Sequence, residues 1–131
     1  AVLGEFSIVP VVVGEARPQA VANLLETLWG GPETLIVISS DLSHYLPYAE
    51  ACRHDDRTCR AIETLAADAL FSRDACGAAP LKGLLLAAGR RGLKVRTRDL
   101  RNSGDTAGDR AQVVGYGAWV FTGEDTCASA A

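Results

Sequence analysis

A chain of 131 residues with 48% apolar side chains has enough material for one packed domain, and its net charge of −3 gives no pull toward a polyanion. The basic residues concentrate only at Arg90, Arg91, Lys94, Arg96, Arg98 and Arg101, which reads as a solvated face and argues against nucleic-acid binding. The apolar opening is interrupted by Glu5 and Pro10 and falls far short of the ~20 residues of a membrane span, so a soluble protein without a membrane partner is expected.

Four cysteines, Cys52, Cys59, Cys76 and Cys127, form no C-x-x-C pair, and a reducing, cytoplasmic setting is the simpler expectation. Methionine is absent and the chain opens directly on "AVLGEFSIVPVVVG", which reads as a cropped or processed piece. In that opening, "FSIVPVVVG" at residues 6–14 is a β-branched apolar block, as for a strand covered on both faces, with Pro10 pushing it toward an edge or a bulge. "RPQAVANLLETLWGG" follows as an amphipathic helix: Pro18 suits its first turn, Val21, Leu24, Leu25, Leu28 and Trp29 share a face, and Gly30 and Gly31 stop it. "TLIVISS" at residues 34–40 is a second buried strand, so strand, helix and strand predict a right-handed parallel crossover.

From Asp55 to Phe71 the spacing of Ile62, Leu65, Ala66, Ala69 and Leu70 predicts another helix, with Asp55 and Asp56 near its positive end. A further helix runs from Pro80 to a stop at Gly92, with Leu81, Leu84, Leu85 and Ala88 inward. "LKVRTRDL" alternates like a strand with one wet face, and "VVGYGAWVF" reads as a more buried strand. The polar loop between them, "RNSGDTAGDRAQ", is long enough to be a candidate functional loop. These elements predict a three-layer α/β fold with a mostly parallel central sheet over residues 1–123, and a disordered tail at residues 124–131.

Ligands of open α/β sheets sit at the carboxyl ends of parallel strands, and "SSDLSH" occupies such an end. One helical turn there would point Asp41 and His44 the same way, and a carboxylate beside an imidazole suits proton transfer or support of a metal. The competing reading makes Asp41 a turn cap and His44 a hydrogen-bonded loop residue. Ser39, Ser40 and Ser43 lack a G-x-S-x-G elbow, which disfavours a hydrolase. Cys76, in "DACGAAP" ahead of a helix start, lies where free N–H groups favour an anionic sulfur that could hold a metal; the alternative is a small buried apolar side chain. His54 reads as solvated and Cys52 and Cys59 as packing residues, while Asp105 and Asp109 lack the glutamate a calcium loop requires.

In this order, "FSIVPVVVG", "LIVISSDLSHY", "ACGAAPLKGLL" and "NSGDTAGDRAQVVGYGAWVF" resemble the Memo family, whose prokaryotic members are called AmmeMemoRadiSam system protein B. The resemblance implies a fold like that of class III extradiol dioxygenases, which use a non-haem iron. It implies Cys76 in the place of the carboxylate ligand, His44 as the pocket acid/base and Asp41 beside it, with Ser40, Asn102, Ser103 and Asp105 in the pocket loops. The family's two histidine ligands belong to an amino-terminal half, so the chain looks like a carboxyl-terminal half that retains one ligand of three. One iron or copper ion is therefore expected in the intact protein, with oxygenase or redox-type activity, and no metal or activity in this chain alone. The alternative is a non-catalytic module that binds a peptide or protein through a vestigial pocket. The resemblance also implies radical-SAM and AMMECR1-like partners, and a truncated domain is expected to self-associate.

Overall fold

The structure is a computed structural model and describes residues 4–106 and 108–123. Three α-helices, α1 (Pro18–Thr27), α2 (Tyr48–Glu63) and α3 (Ala78–Arg90), accompany three strands, β1 (His44–Leu46), β2 (Lys94–Asn102) and β3 (Val113–Thr122). The tail expected at residues 124–131 lies outside the described residues.

The sheet has the order β1-β3-β2 and both of its pairings are antiparallel. Residues 6–13 and 34–43 form neither helix nor strand, so the parallel crossover and mostly parallel sheet expected from the sequence are not formed among the described residues. Two physical reasons account for this. Pro10 has no N–H for a ladder, and a strand buried on both faces needs neighbours that these segments lack. Their side chains stay in solvent instead, Val12 at 98% and Leu35 at 80% exposure, with Phe6, Ile8, Val9 and Val37 also exposed.

The helices follow local signals more closely. Pro18 occupies the first turn of α1, where no intrahelical donor is lost, and α3 ends at the left-handed Gly92. The second helix departs from expectation: it starts at Tyr48, behind Pro47, and stops at Glu63, so Asp55 and Asp56 sit mid-helix rather than near its positive end. Leu65, in the left-handed region, breaks the apolar period, and a short 3-10 turn at Ala67–Ala69 carries the rest of the expected helical pattern.

The core lies between α2, α3 and the inner face of the β2–β3 hairpin. Ala61, Ile62, Ala67, Leu70, Leu81 and Leu85 pack together, and Ile38, Val95, Trp119 and Phe121 close over them. Ile62, Leu70 and Leu85 have no solvent exposure, and each such side chain contributes about 1.5–3 kcal/mol of burial free energy. On the other face of β2, Lys94, Arg96 and Arg98 point to solvent along an edge strand, where charge discourages pairing with another chain. No helix among the described residues is long and apolar enough to cross a membrane.

Helix α1 docks on α3 where Gly83 leaves room; a Cβ there would overlap the branched side chain of Val21. Alanine is the better helix former by about 1 kcal/mol, but the overlap is with a stiff stem and not a flexible tip. Gly83→Ala is therefore expected to lower stability by about 1–3 kcal/mol in denaturant unfolding. Unchanged or increased stability would show that the two helices part without cost.

Candidate metal centre

The turn at residues 41–44 passes between the start of β3 and the middle of α2. Leu42 N–H donates to Gly115 O (2.9 Å) and Gly115 N–H donates to Ser43 O (2.8 Å). His44 then pairs with Val114, and Tyr45 follows it with φ 58, a left-handed conformation that a tyrosine adopts only when its surroundings impose it.

The segment from residue 71 to 77 is stitched to this turn. Cys76 N–H donates to Asp41 O (3.2 Å) and Gly77 N–H donates to Ser40 Oγ (2.8 Å), while the Ser40 hydroxyl donates to Asp41 O (2.7 Å). Asp41 N–H in turn points at Cys76 Sγ (3.1 Å), and Ser40 Oγ lies 3.7 Å from the same sulfur. Gly77 has no alternative residue type here, because a Cβ would fall within 2.7 Å of Ser40 Cβ and 2.9 Å of Ser39 O.

The result is a cluster in which one ligand-type atom from each of Asp41, His44 and Cys76 lies within 4.8 Å of the others. His44 Nε2 is 3.6 Å from Asp41 Oδ2, an approach of imidazole to carboxylate beyond hydrogen-bond range, with the side chains 38% and 49% exposed. Sulfur, imidazole and carboxylate within one small sphere form a donor set that suits a divalent transition metal, and the main-chain donor at Sγ suits an anionic sulfur. The residues present therefore fit part of a mononuclear site.

Asn102, Ser103 and Asp105 lie at the same end of the sheet but face elsewhere. Asn102 pairs with Gly115, Ser103 Oγ accepts from Val114 N–H (3.1 Å), and Asp105 accepts from Tyr48 Oη (2.7 Å) and Asn102 N–H (2.9 Å). Arg110 stacks on the Tyr48 ring, 4.2 Å from its centroid. These contacts shape the loop around the start of α2, and the metal cluster does not include Asp105. Ser40 and Ser43 spend their hydroxyls on structural bonds, in keeping with the disfavoured hydrolase reading.

Two residues departed from the sequence reading. His54 is not solvated: its Nε2 lies 2.9 Å from Asp74 Oδ1, with side chains 15% and 11% exposed. Asp55, expected near a helix start, is 3% exposed and takes both Ser43 N–H (3.0 Å) and Ser43 Oγ–H (3.1 Å). Burial pushes its carboxyl above the ordinary range, against the two Ser43 bonds that pull it down. Neither role had a local signal, since both depend on partners at least 12 residues away. Cys59 is buried against Thr97 Oγ1 (3.4 Å) and Cys52 is half-buried near Asn102, as packing residues.

A Memo-like protein family model matches residues 1–120. The chain is 36% identical to a MEMO1 family protein of Aeropyrum pernix over 128 residues, covering 88% of this chain and 45% of that one. It is 33% identical to a MEMO1 family protein of Aquifex aeolicus over 130 residues, covering 89% and 48%, and 33% identical to one of Sulfolobus acidocaldarius over 122 residues, covering 85% and 43%. These findings and the α/β fold with its cluster define a Memo-like metal-site candidate, and the chain belongs to the Memo family. It spans about half the length of the curated relatives it matches.

The Tyr48–Asp105 contact carries a pH signature. The Asn102 N–H, then the Tyr48 hydroxyl, hold Asp105 below its ordinary 3.8, so its stabilising contribution is present above that value and fades as pH falls through the lowered one. Tyr48 is pushed above its ordinary 10.0 first by the same hydrogen bond, so its contribution is present below that value and is lost as pH rises through the raised one. Asp105→Asn should therefore flatten both the acid and the alkaline limbs of a melting-temperature profile. Profiles that superimpose on the wild type would rule out this coupling.

Proposed function

We propose that the chain supplies one wall of a mononuclear metal pocket, with Cys76 as a protein ligand and the Asp41–His44 pair as the proton-handling group. The observation that carries the reading is the convergence of sulfur, imidazole and carboxylate from sequence positions up to 35 residues apart. A metal held there, iron or copper by the resemblance to the dioxygenase fold, would supply a Lewis acid for a phenolic or other oxygen-bearing substrate. The Asp41 carboxylate, nearest to His44 Nε2, orients the ring, and the ring's other nitrogen, Nδ1, takes or returns the substrate proton. Ser40 and the Asp41 N–H hold the sulfur in place from the protein side. The activity is of oxygenase or redox type and belongs to the whole protein rather than to these residues alone.

A second reading has one observation in its favour. A trough of about 890 Å³, lined by Val9, Val11, Val21, Leu25 and Ile36 and also by Glu33 and Ser39, includes Cys76 in its wall, and a cleft with apolar side chains and a few polar groups suits a peptide. In that reading the pocket binds without catalysis. Under either reading, the family resemblance supports radical-SAM and AMMECR1-like proteins as partners, and the cysteine spacing supports a cytoplasmic setting.

Metal content separates the two. The full-length protein should hold about one metal per chain, and Cys76→Ala should abolish tight binding because a ligand is lost. His44→Ala should keep the metal and lower any turnover by roughly 10²–10⁴-fold. Equal metal content with and without Cys76 would remove the ligand assignment, and a metal-free full-length protein would favour the binding module.

A further inference from the structure

Of the three side chains in the cluster, Asp41 and Cys76 sit on segments without regular structure, residues 41–43 and 72–77, joined to each other by a few hydrogen bonds, and His44 follows directly as the first residue of β1. Side chains on loops keep a fixed spacing only when a rigid element holds both loops. Helix α2 lies against both, and two consecutive residues on it reach one loop each. We propose that His54 and Asp55 are positioning residues that set the separation between Cys76 and the Asp41–His44 pair.

Asp55 acts on the turn. Its Oδ1 takes the Ser43 N–H (3.0 Å), its Oδ2 takes the Ser43 hydroxyl (3.1 Å), and Gly115 N–H closes on Ser43 O (2.8 Å). Every polar group of Ser43 is thereby fixed, and Asp41 and His44 flank it at two residues before and one residue after. Only a glycine fits at 115, because a Cβ there would overlap the Asp55 carboxylate. A carboxylate buried to 3% exposure in a helix interior is costly, and helix propensity gives no reason for it. Its two bonds are both spent on the residue between Asp41 and His44.

His54 acts on the other loop. Asp74 Oδ2 takes the Phe71 N–H (2.7 Å) and turns the chain there, while its Oδ1 lies 2.9 Å from His54 Nε2. Arg57 Nη2 approaches His54 Nδ1 (3.3 Å), which leaves Nε2 as the N–H side of the ring. The approach to Asp74 is close but lies outside hydrogen-bond alignment, so it holds the loop by packing and by the dipole of the Nε2–H. Cys76 follows two residues later. Each donor loop is thus gripped from α2 on one side and from its neighbour loop on the other, through Asp41 N–H to Cys76 Sγ (3.1 Å) and Cys76 N–H to Asp41 O (3.2 Å).

The inference rests on the metal-pocket reading only for one of its two readouts. In metal-free full-length protein at one pH, the rate of iodoacetamide alkylation at Cys76, followed on its peptide by mass spectrometry, reports the surroundings of the sulfur. Zinc affinity of the same protein reports how well Cys76 is held in place as a ligand. Asp55→Ala and His54→Ala should each slow alkylation severalfold, because Sγ loses its fixed N–H donor, and should weaken zinc binding by about tenfold to a hundredfold. Asp55→Asn, which keeps an acceptor for the Ser43 N–H, and His54→Gln, which keeps a polar N–H toward Asp74, should stay within about 1.5-fold of the wild type on both. If an alanine variant does not fold, Ser43→Ala, which removes one of the two Asp55 bonds, should still slow alkylation about threefold. The proposal is overturned if folded alanine variants leave both readouts unchanged, if Ser43→Ala has no effect, or if Asn and Gln are as damaging as Ala. Altered alkylation with no zinc binding by any form would leave the positioning role standing and would count against the metal pocket alone.

Discussion

The candidate site depends on one constraint, the fixing of Ser43 between a helix and a strand. Its amide and hydroxyl end on the buried Asp55 carboxylate and its carbonyl on Gly115 N–H. Because a residue held at three points cannot rotate, the residues on either side inherit its orientation. Asp41 therefore offers its main-chain N–H to Cys76 and its carboxylate to His44, two interactions that a free loop would not hold together. The left-handed Tyr45 lies inside β1, where the pairing with β3 slips between His44 and Leu46.

The rest of the fold divides into a part that is well packed and a part that is not. Helices α2 and α3 and the β2–β3 hairpin enclose a core of fully buried aliphatic side chains, and the hairpin register carries Asn102 and Gly115 to the end of the sheet where the site lies. The segments at residues 6–13 and 34–38, in contrast, expose β-branched side chains and make no strand pairs among the described residues. The site is built at the boundary between these two parts, and this explains why its side chains remain partly exposed.

Features governed by neighbours in sequence were legible in advance. Pro18 and Gly92 marked helix ends through fixed φ and left-handed freedom, and the alternation along residues 93–100 gave the wet and dry faces of β2. Asp41 and His44 do lie close, but not through the helical turn expected from their three-residue spacing, since residues 41–43 are not helical and His44 begins β1; the link to Cys76 came from a family resemblance, since nothing local ties residue 41 to residue 76. The apolar period from Ile62 to Leu70 misled, because it continues through Leu65, where the backbone turns left-handed and the helix has already ended. Asp55 and His54 carry ordinary helix-surface chemistry in sequence, and only the fold reveals that both point inward. The apolar segments 6–14 and 34–40 have strand composition, but composition does not supply the neighbours that strands require.

The central claim is that Cys76 belongs to a metal site shared with the Asp41–His44 turn. X-ray absorption at the zinc edge of the zinc-loaded full-length protein tests it most directly. The account predicts one sulfur scatterer at about 2.3 Å that disappears in Cys76→Ala, with nitrogen or oxygen ligands in the remaining positions. A first shell of nitrogen and oxygen alone, unchanged by Cys76→Ala, would contradict it.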